Sequence, residues 1–166
     1  MKIAIISDTH DNLANLKKAV SFIEKEKIKT IIHCGDVTNL DTLKKIFSLF
    51  EGKIYLALGN ADNGDLRNFP FQKIKNLKIF KEFGELKIDK KKIAFCHFPK
   101  EAYLLAKNQR YDIVFYGHLH KVWIKNVGKT KLVNPGELAG MFFKPTFTIY
   151  DLKTGKLELK ILEKLK

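Results

Sequence analysis

Cysteine is scarce in this 166-residue chain: Cys34 and Cys96 are the only two, and neither has a CxxC partner. That excludes a disulfide framework. Long apolar runs are missing as well. None approaches the roughly 18 residues of a membrane span, so no membrane-crossing helix is expected. The opening segment, MKIAIISDTHDN, has a short apolar run that meets charge at Asp8, with no signal-peptide core or small-residue cleavage site. Low-complexity tracts, linkers and internal repeats are absent. Arginine is nearly absent, since Arg67 and Arg110 are the only two among 31 basic residues. Arginine is the preferred bidentate reader of phosphates and base edges. The formal net charge of +13 therefore reads as a solvated lysine-rich surface rather than a nucleic-acid face. The lysines run along the whole chain, and the one run of three is Lys90, Lys91 and Lys92.

What is present is an ordinary globular composition, with 45% hydrophobic and 30% charged residues, which excludes long disorder. The length predicts one domain over residues 1–166. A cytoplasmic protein is expected. The first third alternates strand and helix. Lys2–Ser7, Thr30–Cys34 and Lys53–Leu58 are short runs rich in β-branched residues, read as buried strands. Between them lie amphipathic helices over Leu13–Lys25, capped by Asn12, and over Leu40–Phe50. This spacing makes a parallel βαβαβ unit. The second half is richer in strand. Glu85–Asp89 and Lys92–Cys96 form a predicted hairpin around a lysine turn, and Pro99–Asn108 a short helix. Strands are predicted at Asp112–Tyr116, Lys121–Val127, Thr130–Asn134, Thr146–Leu152 and Lys156–Leu162. The fold class is α/β or α+β, with two packed sheets and helices outside.

Five strand ends carry an unusual set of residues. Strand one ends in Asp8-Thr9-His10, strand two in Gly35-Asp36 and strand three in Gly59-Asn60. Lys92–Cys96 ends in His97, and Asp112–Tyr116 in Gly117-His118-Leu119-His120. The carboxyl ends of strands are where open α/β sheets bind ligands. Singly, each residue has a plainer reading: Asp8 and Asp36 as caps or turns, Asn60 as a turn, His97 as a hydrogen-bonded core histidine. Together, five such coincidences at one edge argue for a shared centre. Asp8 with His10, and His118 with His120, stand two apart, so in extended backbone each pair points to one side. Gly35, Gly59 and Gly117 are expected to supply φ > 0 and close approach just before a ligand. Carboxylate, imidazole and amide oxygen suit borderline divalent metals. Seven donors exceed the needs of one ion; if Asp36 bridges, they divide into two sites of four. His33 lies inside strand two, as core or as support for the centre. Cys34 and Cys96 are expected to be buried and structural.

The ordered set D-x-H, G-D, G-N, H and G-H-x-H resembles the calcineurin-like metallophosphoesterase family, over residues 3 to about 137. The short length and Asn134-Pro135-Gly136 resemble its small single-domain phosphodiesterase branch. That branch is related in fold to the phosphoesterase-like subunit of retromer, an interaction scaffold. The resemblance implies a four-layer α/β-β/α sandwich, two packed mixed sheets flanked by helices. It implies two divalent ions per chain, of Mn, Ni, Co, Fe or Zn. Asp8, His10, Asp36 and His120 would hold the first, and Asp36, Asn60, His97 and His118 the second. The implied reaction is hydrolysis of a P–O bond by in-line attack of a hydroxide shared between the ions, with Asp36, Asn60 and His97 acting through the metals.

One motif departs. The family's G-N-H-[DE] reads Gly59-Asn60-Ala61-Asp62 here, so the histidine usually assigned to protonate the leaving group is missing. Weak turnover of poor leaving groups is expected, and better turnover of activated aryl esters; Asp62 is left to orient supporting groups or water. Asn60 and Asn12 are candidates for substrate contact, and Asn12 reads equally as a helix cap. The expected partner is a small phosphodiester or phosphate ester, with no membrane; nucleic acid is not favoured, and a homo-oligomer stays open. The alternatives are an interaction scaffold with a phosphoesterase-like fold, and a nuclease. Substrate choice is expected in the loops Asp62–Phe71 and Glu137–Pro145. The apolar stretch Leu138–Phe143 would line the pocket mouth or a dimer face.

Overall fold

Alternate residues of the first strand face opposite ways, and both faces are apolar. In the computed structural model, which describes residues 1–62, 64–70 and 74–165, β1 (Lys2–Ile6) turns Ala4 and Ile6 to one core and Ile3 and Ile5 to another. A strand buried on both faces needs a layer on each side. On one side lie α1 (Leu13–Lys25) and α2 (Leu40–Leu49), with Leu16, Ala19, Val20 and Ile23 of α1 and Leu43 and Ile46 of α2 packed on the sheet. On the other lies a second sheet, whose Ile93, Phe95, Ile113, Phe115 and Val133 meet Ile3, Ile5 and Ile32. The outer face of that sheet packs Ala94, Cys96 and Val114 against Ala102, Leu105 and Ala106 of α4 (Pro99–Lys107). Three cores between four layers give the α/β-β/α sandwich that the resemblance implies.

The first sheet runs β11 (Leu157–Ile161), β10 (Thr146–Asp151), β1, β2 (Thr30–His33), β3 (Lys53–Ala57), β4 (Leu77–Phe80). The second runs β5 (Phe83–Ile88), β6 (Lys91–Cys96), β7 (Ile113–Phe115), β9 (Thr130–Asn134), β8 (Trp123–Val127). Parallel pairing of β1 with β2 and β2 with β3 sends three carboxyl ends to one edge, and parallel β6 and β7 do the same in the second sheet. The hairpin turn is Asp89-Lys90, both at positive φ (48° and 67°), the pattern that matches strand twist in two-residue loops.

Three elements lie outside the expected set: β4, which adds a fourth parallel strand beside β3, the short helix α3 (Gly64–Asn68) and a 3-10 turn over Leu162–Lys164. All are too short to show a period in sequence. The other boundaries agree within two residues. No helix among the described residues is long and apolar enough to cross a membrane.

Candidate metal centre

The five strand ends converge, but not through extended backbone. Asp8, His10, Asp36, His118 and His120 all sit at left-handed φ, between 41° and 68°. Such conformations cost non-glycine residues energy and gather where function over-determines the backbone. The expected i, i+2 geometry is therefore corrected. His118 and His120 turn to different neighbours. His120 stacks on His10, with ring centroids 5.1 Å apart, while His118 meets His97 edge-on at 5.1 Å. The glycine expectation is corrected in part. Of Gly35, Gly59 and Gly117, Gly35 alone has positive φ (96°). All three serve close approach: a Cβ would overlap Asp36 Oδ1 at Gly59 and Ser7 Oγ at Gly117, and would stand 2.5 Å from His97 Nδ1 at Gly35.

The donors form a row centred on Asp36. Its Oδ2 lies 3.5 Å from His10 Nε2 and 3.4 Å from His97 Nε2. Toward one end, Asp8 Oδ1 is 3.4 Å from His120 Nε2 and 3.9 Å from His10 Nε2. Toward the other, Asn60 Oδ1 is 2.9 Å from both His97 Nε2 and His118 Nδ1. All seven sequence-predicted ligands are thus brought together. Asp8, His10 and His120 form one group whose donor atoms could share an ion, and Asp8, Asp36 and His97 another.

These residues fit divalent cations, on two observations. First, His97 Nδ1 donates to the Cys34 carbonyl at 2.8 Å, so in the neutral ring Nε2 carries the lone pair. It then faces the Asp36 carboxylate, the Asn60 amide oxygen and His118 Nδ1, a set of N and O atoms that a cation among them satisfies. Second, His10 Nε2 is buried without a hydrogen-bond partner. An orphaned imidazole nitrogen between two carboxylates is a ligand atom awaiting a Lewis acid.

The supports are as specific as the ligands. Glu137 is fully buried, and its Oε2 accepts from His120 Nδ1 at 2.8 Å, which leaves Nε2 free to ligate. The same carboxylate accepts the amides of Met141, Phe142 and Phe143 at 3.0, 2.8 and 2.6 Å. Asp62, also buried, accepts the amides of Asp36, Thr38 and Gly59 at 3.2, 2.9 and 2.6 Å and so ties two ligand loops together. Arg67 locks that loop by donating to the carbonyls of Asp62 and Gly59. Asn134 donates to the Gly117 carbonyl at 2.8 Å, just before His118. His33, expected as core or support, is both: its Nε2 pairs with Thr9 Oγ1 at 2.9 Å and its Nδ1 accepts the Gly35 amide. Glu137, Arg67 and the Asn134 contact escaped sequence reasoning. The one signal for the first was a carboxylate directly after Asn134-Pro135-Gly136.

Burial acts on Asp8, Asp36, His97, His118 and Glu137, and hydrogen bonds and nearby charges reverse it at three of them. It pushes Asp8 up, against the opposing Ser7 hydrogen bond and the imidazoles of His97 and His120. Burial also works to raise Asp36, but His97 and the Ala61 amide outweigh it and hold that carboxyl low. Burial works to lower His97, and Asp36 overcomes it, leaving the imidazole raised. His118 is lowered by burial and by His97. In Glu137 burial is outweighed by the Phe143 amide and His120, which keep it an acceptor. Burial drops His33 to about 3 and lifts Cys96 to about 12, so one is a neutral imidazole and the other an inert thiol. Both cysteines are buried and free, as expected.

Asn12 caps α1: its Oδ1 accepts the Asn15 amide at 3.0 Å and its Nδ2 donates to the Ala139 carbonyl at 2.8 Å. These contacts show the capping role of Asn12. Ala61 donates its amide to Asp36 Oδ1 at 2.8 Å. Of the loop expected to select substrate, Asn63 and Phe71 lie outside the described residues. The second loop is a rim, with Met141, Phe142 and Phe143 exposed and Leu138 in the core.

A two-sheet sandwich with N and O donors gathered at its strand ends is a metallophosphoesterase architecture, and comparison with known proteins agrees. Residues 1–155 match the model of the calcineurin-like phosphoesterase superfamily domain. The chain belongs to this superfamily. It is 34% identical to Phosphodiesterase MJ0936 of Methanocaldococcus jannaschii, over 98% of this chain and all of that one. It is 33% identical to the probable metallophosphoesterase MJ0623 of the same organism, over 82% of this chain and 67% of that one. Among solved structures, an archaeal phosphodiesterase superposes with a TM-score of 0.86 at 31% identity, covering 97% and 99% of the two chains. Vacuolar Protein Sorting 29 from Cryptosporidium parvum shares the fold, with a TM-score of 0.69 at 19% identity over 96% and 95%. Divalent metal binding and hydrolysis of phosphoric esters follow from the family.

Proposed function

We propose that this chain is a single-domain phosphodiesterase using two divalent cations, drawn from Mn, Fe, Co, Ni and Zn. Asp8, His10, Asp36 and His120 hold one and Asp36, Asn60, His97 and His118 the other. The observation that carries this reading is the convergence of imidazole nitrogens and of the Asp36 and Asn60 oxygens on one row. When bound, such ions supply Lewis-acid activation of water and of phosphoryl oxygens.

The chain's own contribution is orientation. The Cys34 carbonyl and Glu137 each accept a hydrogen bond from the Nδ1–H of a histidine and orient its Nε2 inward. Asp62 holds the Asp36 and Asn60 loops at fixed separation through three amides. That work occupies both oxygens of Asp62, so it is not the acid that replaces the missing histidine. With alanine at 61, the leaving group departs without a protein proton donor there. General acids typically contribute about 10²–10⁴-fold, so activated aryl diesters are the favoured substrates. A cytoplasmic setting belongs to the same proposal.

The test is a panel of phosphate mono- and diesters on protein reconstituted with Mn²⁺, Ni²⁺, Co²⁺ or Zn²⁺, with Asp36→Ala as control. Turnover of aryl diesters by the parent and none by the variant supports the reading. Stoichiometric metal without turnover in any of the four would favour the scaffold alternative. Steeply salt-dependent association with DNA would favour the nuclease.

A further inference from the structure

The rim of the candidate centre is aromatic at both ends. Phe142 is 69% exposed, and its ring packs edge-on against His120 with centroids 5.0 Å apart. Phe98, half-buried, packs edge-on against both His97 and His118, at 4.9 and 5.1 Å. Leu119, between the two rim histidines in sequence, is 49% exposed. A large exposed ring is costly in water and is normally turned inward. Here the loop is built to keep it out. Glu137 pins the amides of Met141, Phe142 and Phe143 and the ring of His120 with one carboxylate. The Phe142 amide is therefore held by Glu137 and its ring by the edge-on contact with His120, not by burial. An exposed ring already held in place beside a ligand histidine loses little freedom when something stacks on it.

The row of donors runs from His10 and His120 through Asp36 to His97 and His118, with one ring at each end. A phosphodiester has the matching form: one anionic phosphorus centre with two ester substituents leading away from it. We propose that Phe142 and Phe98 are specificity-determining residues, each packing against one flat aromatic substituent of the diester. The substrate class is then a diester with an aromatic group, such as a phenyl ring or a nucleobase, on both ester arms. This inference rests on the phosphodiesterase reading and goes beyond it by naming the two arms.

The test compares bis(p-nitrophenyl) phosphate with methyl p-nitrophenyl phosphate on manganese-loaded protein. Both lose the same group. Water forms one new P–O bond, the P–O bond to the aryl oxygen breaks, and p-nitrophenolate leaves while the proton of water passes to solvent. The wild type is expected to prefer the diaryl substrate about 10-fold in kcat/KM, after allowance for its two equivalent leaving groups. The double variant Phe98→Leu/Phe142→Ala should bring that preference below about 3-fold. Phe142→Ala alone should fall between, which keeps the test independent of the half-buried Phe98. A preference unchanged in the variants, including an equal loss on both substrates, overturns the inference. A second arm needs no turnover: saturation transfer from protein to the ring protons of diphenyl phosphate, expected in the wild type and lost in the double variant. A wild type that hydrolyses neither diester but saturates those rings sinks the phosphodiesterase reading and keeps the aromatic arms. No saturation in the wild type overturns the arms. A Phe142→Ala variant altered only in its sedimentation makes the rim a contact between two copies of the chain, and this too overturns the inference.

Discussion

The loop after β3 and the loop after β9 each fold around one buried carboxylate, Asp62 in the first and Glu137 in the second. Each accepts three backbone amides. They differ in what else they touch. Among the described residues, Asp62 reaches the centre through backbone, by fixing the amides of Asp36 and Gly59 beside ligand residues. Glu137 reaches it through a side chain, since it sets the tautomer of His120. Asp62 therefore sets the spacing between loops, while Glu137 also sets a lone pair.

That difference ranks the substitutions. Glu137→Ala should be the more damaging, lowering the unfolding free energy by about 3–5 kcal/mol, as when one partner of a buried pair is removed. It should also weaken metal binding by about 10–100-fold, as loss of a supporting carboxylate does. Denaturant titration of the metal-free protein and calorimetric metal titration read the two effects separately. Asp62→Ala should cost about 2–3 kcal/mol, because unpaired amides remain at Asp36, Thr38 and Gly59, with a smaller loss of metal affinity. Equal losses of metal affinity in the two variants would break the comparison.

Glycine substitutions sharpen it at the Asp62 end. Gly59→Ala places a methyl group onto Asp36 Oδ1 and should lower the unfolding free energy by about 1–3 kcal/mol, read by denaturant titration. Five residues on, the methyl of Gly64→Ala would stand 3.9 Å from Asn68 Nδ2 and should leave the unfolding free energy within about 0.5 kcal/mol. The smallest effect is catalytic. Ala61→His should raise turnover of diesters with poor leaving groups more than that of p-nitrophenyl esters, measured as kcat on matched substrates. An equal gain on both would show that leaving-group protonation is not what alanine at 61 removes.

Much of this was legible in sequence, for definite reasons. Parallel strands such as Ile3–Ile6 and Thr30–His33 are buried on both faces and read as continuous β-branched runs. Their polar ends then stand out, so Asp8, His10, Asp36, Asn60, His97, His118 and His120 were all visible as candidates. The way the backbone delivers them was not. Left-handed φ was expected at glycines, and the aspartates and histidines adopt it themselves, because loop closure over the sheet edge outweighs local preference. Glu137 was hidden for another reason. Its partners are amides four to six residues on and a histidine 17 residues back, a pattern without periodicity. Arg67 lies in a five-residue helix too short to announce itself. Leu77–Phe80 has only four residues, and pairing with β3 makes it a strand more than its own composition does.

The central claim is that one carboxylate, Asp36, joins two cation sites. Metal equivalents per chain test it most directly, counted by elemental analysis after reconstitution with Mn²⁺ and desalting, for the wild type and for Asp36→Ala. About two equivalents are expected in the wild type and less than one in the variant, as loss of a shared ligand opens both sites. Two equivalents retained by Asp36→Ala, or a wild type that saturates at one, would contradict it.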